Sequence, residues 1–161
     1  MMGYSATIGP FAIIGHATRV AQMSPRKGDM DADFSHTLSG GRTGLPALLD
    51  ALETHLAEAG APMAVASAVM IAADEVLSNV VDHGGAATVQ VTAGVRDGRV
   101  TVDVVDDGIP FDPTAAAAPD TSLEVEDRDV GGLGVHLVRK LMDEVAYRRD
   151  GDRNRLRFSK S

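Results

Sequence analysis

The chain has 161 residues, 44% hydrophobic and 24% charged, with a formal net charge of −8 and no cysteine. That is enough chain for one globular domain with a real core, and it excludes disulfides, thiolate metal sites and a cysteine nucleophile. No apolar run approaches the ~20 residues that cross a bilayer, and the apolar start from Ile8 to Ile14 is broken by Gly9 and Pro10 and lacks a preceding basic residue, so it is a poor secretory signal.

The charge is unevenly spread. Residues 31–127 hold 3 Arg against 17 acidic residues, whereas residues 128–161 hold 9 Lys or Arg against 5 acidic ones. The acidic bulk argues against general nucleic-acid binding. The basic C-terminal piece suits either a solvated edge hairpin or a surface facing a phosphate or an acidic partner.

Residues 1–30 have no clear period and are punctuated by Pro10, Gly15, Pro25 and Gly28. They read as a loosely held extension ahead of a domain over residues 31–161. From Ala32 to Leu38, apolar and polar residues alternate, the mark of a half-buried strand. His36 falls on its apolar side, and with no second ligand at metal spacing it reads as a packed residue. Leu45, Leu48, Leu49, Leu52 and Leu56 then form one stripe of a helix over residues 46–59, with Pro46 in the first turn and Gly60 as the stop.

A second helix follows over residues 62–84, with Val65, Val69, Ala72, Val76 and Val80 at helical spacing. Glu75 and Asn79, four apart, share one face of it. Taken alone, that pair fits a solvated edge as well as a site. Two alternating stretches, Thr88 to Val95 and Arg99 to Val105, flank Arg96-Asp97-Gly98, a hairpin signal. The second strand runs into Asp106-Asp107-Gly108-Ile109-Pro110-Phe111-Asp112-Pro113, where glycine and two prolines make a rigid turn that holds an acid in place.

Residues 114–130 are a long polar stretch of lid or binding-loop length. Gly131-Gly132-Leu133-Gly134 opens a third helix reaching Met142, with free backbone N–H groups that favour an anion. A hairpin ends the chain, Val145 to Arg149 and Asn154 to Ser159, with Leu156 and Phe158 pointing inward. The order strand, helix, helix, hairpin, lid, helix, hairpin predicts an α+β sandwich, with helices on one face of a mostly antiparallel sheet.

Three stretches thus stand in fixed order: Glu75-x-x-x-Asn79 on a helix, Asp106-x-Gly108 at a strand end, and Gly131-Gly132-x-Gly134 after a lid. Together they resemble the N, G1 and G2 boxes of the ATPase superfamily that includes DNA gyrase, heat-shock chaperone ATPases, mismatch-repair ATPases and histidine kinases. The stretches Asp107-Gly108-Ile109-Pro110-Phe111-Asp112-Pro113 and Gly132-Leu133-Gly134-Val135-His136-Leu137-Val138-Arg139 look more like the small serine-kinase anti-sigma factors of bacteria. The resemblance covers residues 31–160 and implies the ATP-binding fold of that superfamily, with a mixed, mostly antiparallel sheet.

The resemblance also implies roles. Asn79 would ligate Mg²⁺ that bridges the phosphates of ATP, and Glu75, one turn or about 5.4 Å away, would be the general base for a serine hydroxyl. Asp106 would accept a hydrogen bond from the adenine amino group, and a carboxylate there rejects guanine's carbonyl. Gly108 would let the backbone approach the base. Gly131, Gly132 and Gly134 would contact phosphate, and Arg128 at the lid's end would reach toward it. The implied function is a cytoplasmic protein-serine kinase of the partner-switching kind. It would phosphorylate a small antagonist protein, bind a sigma factor or another regulatory target, and form a homodimer. Two other readings stand beside it: a nucleotide-gated binding module without phosphotransfer, and a histidine-kinase catalytic domain. The second of these is disfavoured because no dimerisation helix bearing a phosphoacceptor histidine precedes the boxes.

Overall fold

The structure is a computed structural model, and it describes residues 12–13, 33–112 and 130–161. The elements run β1 (Ala12–Ile13), β2 (Phe34–Ser39), a short 3-10 turn (Gly41–Gly44), α1 (Leu45–Glu58), α2 (Met63–His83), β3 (Thr88–Arg96), β4 (Arg99–Asp106), α3 (Val130–Leu141), β5 (Glu144–Asp150) and β6 (Arg153–Lys160). The strands form one sheet in the order β1-β5-β6-β4-β3-β2, and every pairing among them is antiparallel. This is the expected α+β arrangement. Of the expected N-terminal extension only Ala12–Ile13 is described, and it pairs with Tyr147 and Ala146 of β5.

The helix ends follow local chemistry. Gly60 takes a positive φ of 74° beyond α1. There its N–H bonds the carbonyl of Ala57 and that of Ala61 bonds Leu56, which is the paired closure that a left-handed glycine permits. The β3–β4 turn places both Asp97 and Gly98 at positive φ, the twist that joins antiparallel strands tightly.

The core lies between the helices and one face of the sheet. Leu48, Leu52 and Leu56 of α1 and Val69, Ala72 and Leu77 of α2 are fully buried against Val91, Val102, Val104 and Phe158. Of the expected α1 stripe, Leu49 is only partly buried. His36 stacks on the Phe34 ring, 6.3 Å between centroids, as a packed residue. One helix does have the length and composition to cross a membrane, Met63–His83. Its buried residues are spent on this core.

The pleat positions the first site residue. Val100, Val102, Val104 and Asp106 share the helix-facing side of β4, so the alternation that buries three valines carries a carboxylate into the same layer at the strand end. On the opposite side Asp103 is buried and paired with Arg157, whose Nε and NH2 bond the carboxylate at 2.9–3.1 Å.

Candidate functional site

Glu75 and Asn79 lie one turn apart on α2, both half-buried. Across from them stands Gly134, in the second turn of α3. A methyl group placed on Gly134 would overlap the Glu75 carboxylate, with Cδ at 3.1 Å, and come within 3.7 Å of the Asn79 amide nitrogen. Glycine therefore leaves free the space that the Glu75 carboxylate occupies where α3 meets α2. Among the described residues, neither the Glu75 nor the Asn79 side chain has a hydrogen-bond partner. Gly131 and Gly132 lie in the first turn of α3. Arg128 and the expected lid, apart from Val130 at the helix start, lie outside the described residues.

The C-terminal end of α2 meets the turn after β4. The Gly84 N–H caps the helix on the carbonyls of Asn79 and Val80, and its own carbonyl accepts from the Ile109 N–H at 2.9 Å. A methyl on Gly108 would overlap that same Gly84 oxygen and reach within 3.1 Å of its carbonyl carbon. Here the neighbour is backbone, so Gly108 is needed for helix and turn to touch. Asp107 adds a third tie. Its Oδ1 accepts from the N–H groups of Ala87 and Thr88, and its Oδ2 accepts from the Thr88 hydroxyl. These bonds, those of Thr88 first, hold the Asp107 carboxyl below its usual range. A salt bridge from Arg42 to Asp82 ties the 3-10 turn to the same helix end, raising Arg42 and lowering Asp82.

Asp106 is 5% exposed. Its Oδ1 accepts from the Gly108 N–H at 2.9 Å and from the side-chain amide of Asn154 at 2.9 Å. Asn154, its register partner on β6, is equally buried. The Asn154 amide also donates to the Ile109 carbonyl at 2.8 Å, and its oxygen accepts from Tyr147 OH and Arg149 NH1, each at 2.8 Å. Arg149 NH1 donates in turn to the Gly108 carbonyl. Burial pushes the Tyr147 phenol up, so it stays a protonated donor.

The three predicted boxes thus converge: Gly134 on Glu75 and Asn79, and the Asp106–Ile109 turn on the end of the same helix. Asn154, Tyr147 and Arg149 were not singled out from sequence. The signal was present for Asn154, a polar side chain on the face of β6 that also carries Leu156 and Phe158; Tyr147 and Arg149 share one face of β5 and carried no such signal. His83 is exposed in the last turn of α2, where a basic group suits the helix dipole.

The pattern of the histidine kinase-like ATPase domain matches residues 42–160. The chain is 35% identical over 86 residues to a serine/threonine-protein kinase, BtrW, of Bordetella bronchiseptica, covering 50% of this chain and 61% of that protein. It is 36% identical over 90 residues to a serine-protein kinase, RsbW, of Halalkalibacterium halodurans, covering 51% of this chain and 54% of that protein. The chain thus spans somewhat over half the length of these curated relatives. Its fold is similar to a crystal structure of the RsbU and RsbW domains of Rv1364c from Mycobacterium tuberculosis, with a TM-score of 0.53 and 18% identity, covering 79% of this chain and 33% of that one.

Proposed function

We propose that this chain, which belongs to the histidine kinase-like ATPase domain family, is an ATP-dependent protein-serine kinase that acts as an anti-sigma-type regulator by switching partners. The observation that carries the reading is the placement of Glu75 and Asn79, unpartnered among the described residues, under Gly134 at the start of α3. The names of the two relatives support the reaction class.

In this reading Asp106 receives the amino group of adenine, Gly131 and Gly132 in the first turn of α3 offer N–H groups to the phosphates, and Gly134 in the second turn leaves room beside Glu75. The Asn79 side-chain oxygen, unpartnered among the described residues, suits Mg²⁺, which takes one or two protein oxygens beside phosphates and waters. Asn79 would hold the ion, which when bound neutralises phosphate charge. Glu75 takes the proton of the substrate serine as its hydroxyl oxygen attacks the terminal phosphorus and ADP departs. Arg128, which lies outside the described residues, is assigned to the phosphates in the same reading. The substrate is a small antagonist protein, a sigma factor or other regulatory target competes for the kinase, the kinase is a homodimer, and the exchange takes place in the cytoplasm.

The test is incubation with Mg²⁺, ATP and a small antagonist protein of the anti-anti-sigma kind, followed by mass spectrometry. ATP-dependent phosphoserine on the antagonist is the expected result. Tight ATP-dependent association with no phosphoserine would replace the kinase by a nucleotide-gated binding module.

A further inference from the structure

We propose that Asn154 is a positioning residue that fixes which oxygen of Asp106 meets the nucleobase, and so sets the discrimination between adenine and guanine. The inference rests on the reading of Asp106 as the acceptor for the purine amino group. It goes beyond that reading by assigning the selectivity to a side chain that never touches the ligand.

The hydrogen-bond inventory of Asn154 carries the argument. A side-chain amide offers two donor hydrogens and an oxygen with two lone pairs. Here the hydrogens go to Asp106 Oδ1 and the Ile109 carbonyl, and the oxygen takes the Tyr147 hydroxyl and Arg149 NH1. Its orientation follows from its neighbours. The Arg149 guanidinium cannot accept and the Ile109 carbonyl cannot donate, so only one placement of nitrogen and oxygen satisfies all four contacts. The amide is saturated inside the protein and 5% exposed. Nothing on it is left for a base.

What it does is hold its neighbour. Asp106 Oδ1 receives two donors, Asn154 and the Gly108 N–H. Oδ2 has no donor among the described residues. A carboxylate pinned through one oxygen cannot rotate freely about its last bond, so the other oxygen is offered in a fixed direction. The Ile109 and Gly108 carbonyls are drawn toward β5 and β6 by Asn154 and Arg149, which turns acceptors of the turn into the protein. Adenine's amino group then finds a single aimed acceptor, whereas guanine's carbonyl meets a carboxylate oxygen that cannot swing away. Discrimination of this kind depends on rigidity, because a freely rotating carboxylate could yield its place to water.

The experiment measures ATP and GTP affinity by calorimetry for the full chain and for N154A, D106N and the double variant. N154A is expected to weaken ATP about tenfold, the cost of one hydrogen bond to a charged group, and to narrow the ATP-over-GTP ratio. D106N is expected to weaken ATP at least as much. In the D106N background N154A should add almost nothing, since Asn154 acts through that carboxylate. The Gly108 amide reports the positioning directly: in N154A its hydrogen exchange should quicken and its resonance shift without nucleotide present. If N154A folds poorly, Y147F removes one of the two bonds to the Asn154 oxygen, along with the Tyr147 bond to the Phe111 backbone, and should shift affinity and the Gly108 resonance in the same direction by less. Unchanged ATP-over-GTP discrimination in N154A, or in Y147F where that variant stands in, with D106N strongly impaired, overturns the inference and leaves the reading of Asp106 standing. Additive losses in the double variant overturn it as well. Undiminished ATP binding in D106N refutes the reading of Asp106, and the inference with it.

Discussion

The Asp106 end and the Glu75 end of the candidate site are built on opposite plans. At Asp106 protein bonds abound: Asn154, Gly108, Arg149, Tyr147 and the Gly84 carbonyl knit strand end, hairpin and helix end together. At Glu75 and Asn79 the side chains have no hydrogen-bond partner among the described residues, and the facing residue is a glycine. Fixed geometry costs little where a rigid planar group is to be recognised, because the polar groups around Asp106 Oδ2 are already satisfied before anything binds and only that oxygen is left to pair. Groups that must handle a proton or a cation need their lone pairs available, so they are left unpaired by the protein itself. In the proposed reading, the contrast separates recognition at Asp106 from chemistry at Glu75.

Substitutions at the two ends should therefore fail differently. The largest effect is expected for Glu75→Ala. Phosphotransfer should fall roughly 10²–10⁴-fold while calorimetric ATP affinity survives, and undiminished transfer would remove Glu75 from its role. Gly134→Ala comes next. Alanine is favoured over glycine within a helix by about 1 kcal/mol, and the overlapped atoms are the flexible end of Glu75. The melting temperature should hold or rise, while transfer drops about ten- to a hundred-fold as Glu75 is displaced. A large loss of stability would show that this end is not open after all.

Gly108→Ala probes the rigid end. Its methyl meets the Gly84 backbone, which cannot swing aside, so overpacking should cost about 1–3 kcal/mol. For a domain of this size thermal unfolding should shift down by about 2–4 °C per kcal/mol. The smallest effect concerns acid. Asp107, held low by its bonds from Thr88 and Ala87, stabilises the fold above its unfolded pKa of about 3.9, and the contribution is lost as pH falls through the lower folded value. Asp143 adds to the same window: burial pushes it up, but Lys160 and the Ser161 N–H hold it below its usual range. Melting temperature followed from pH 7 down to pH 3 should fall at the acid end, and Asp107→Asn should flatten part of that fall.

Helix α1, helix α2 and both long hairpins were legible in the sequence because each is specified by local periodicity and by a glycine or proline at its ends. The stripe from Val65 to Val80 and the Asp97-Gly98 turn need no distant partner to be recognised. The order of the three boxes could likewise be read along the chain. Their convergence could not, because it depends on α3 crossing α2 at Gly134 and on the Gly84 carbonyl reaching Ile109, contacts between segments far apart in sequence. Asn154 shows the same limit. Its inward position in β6 marked it as unusual, but only the strand register that sets it beside Asp106 gives it four partners and a purpose. Local sequence decides which face a side chain takes; long-range pairing decides what waits for it there, since hydrogen bonds between strands and helices are made in space and not along the chain.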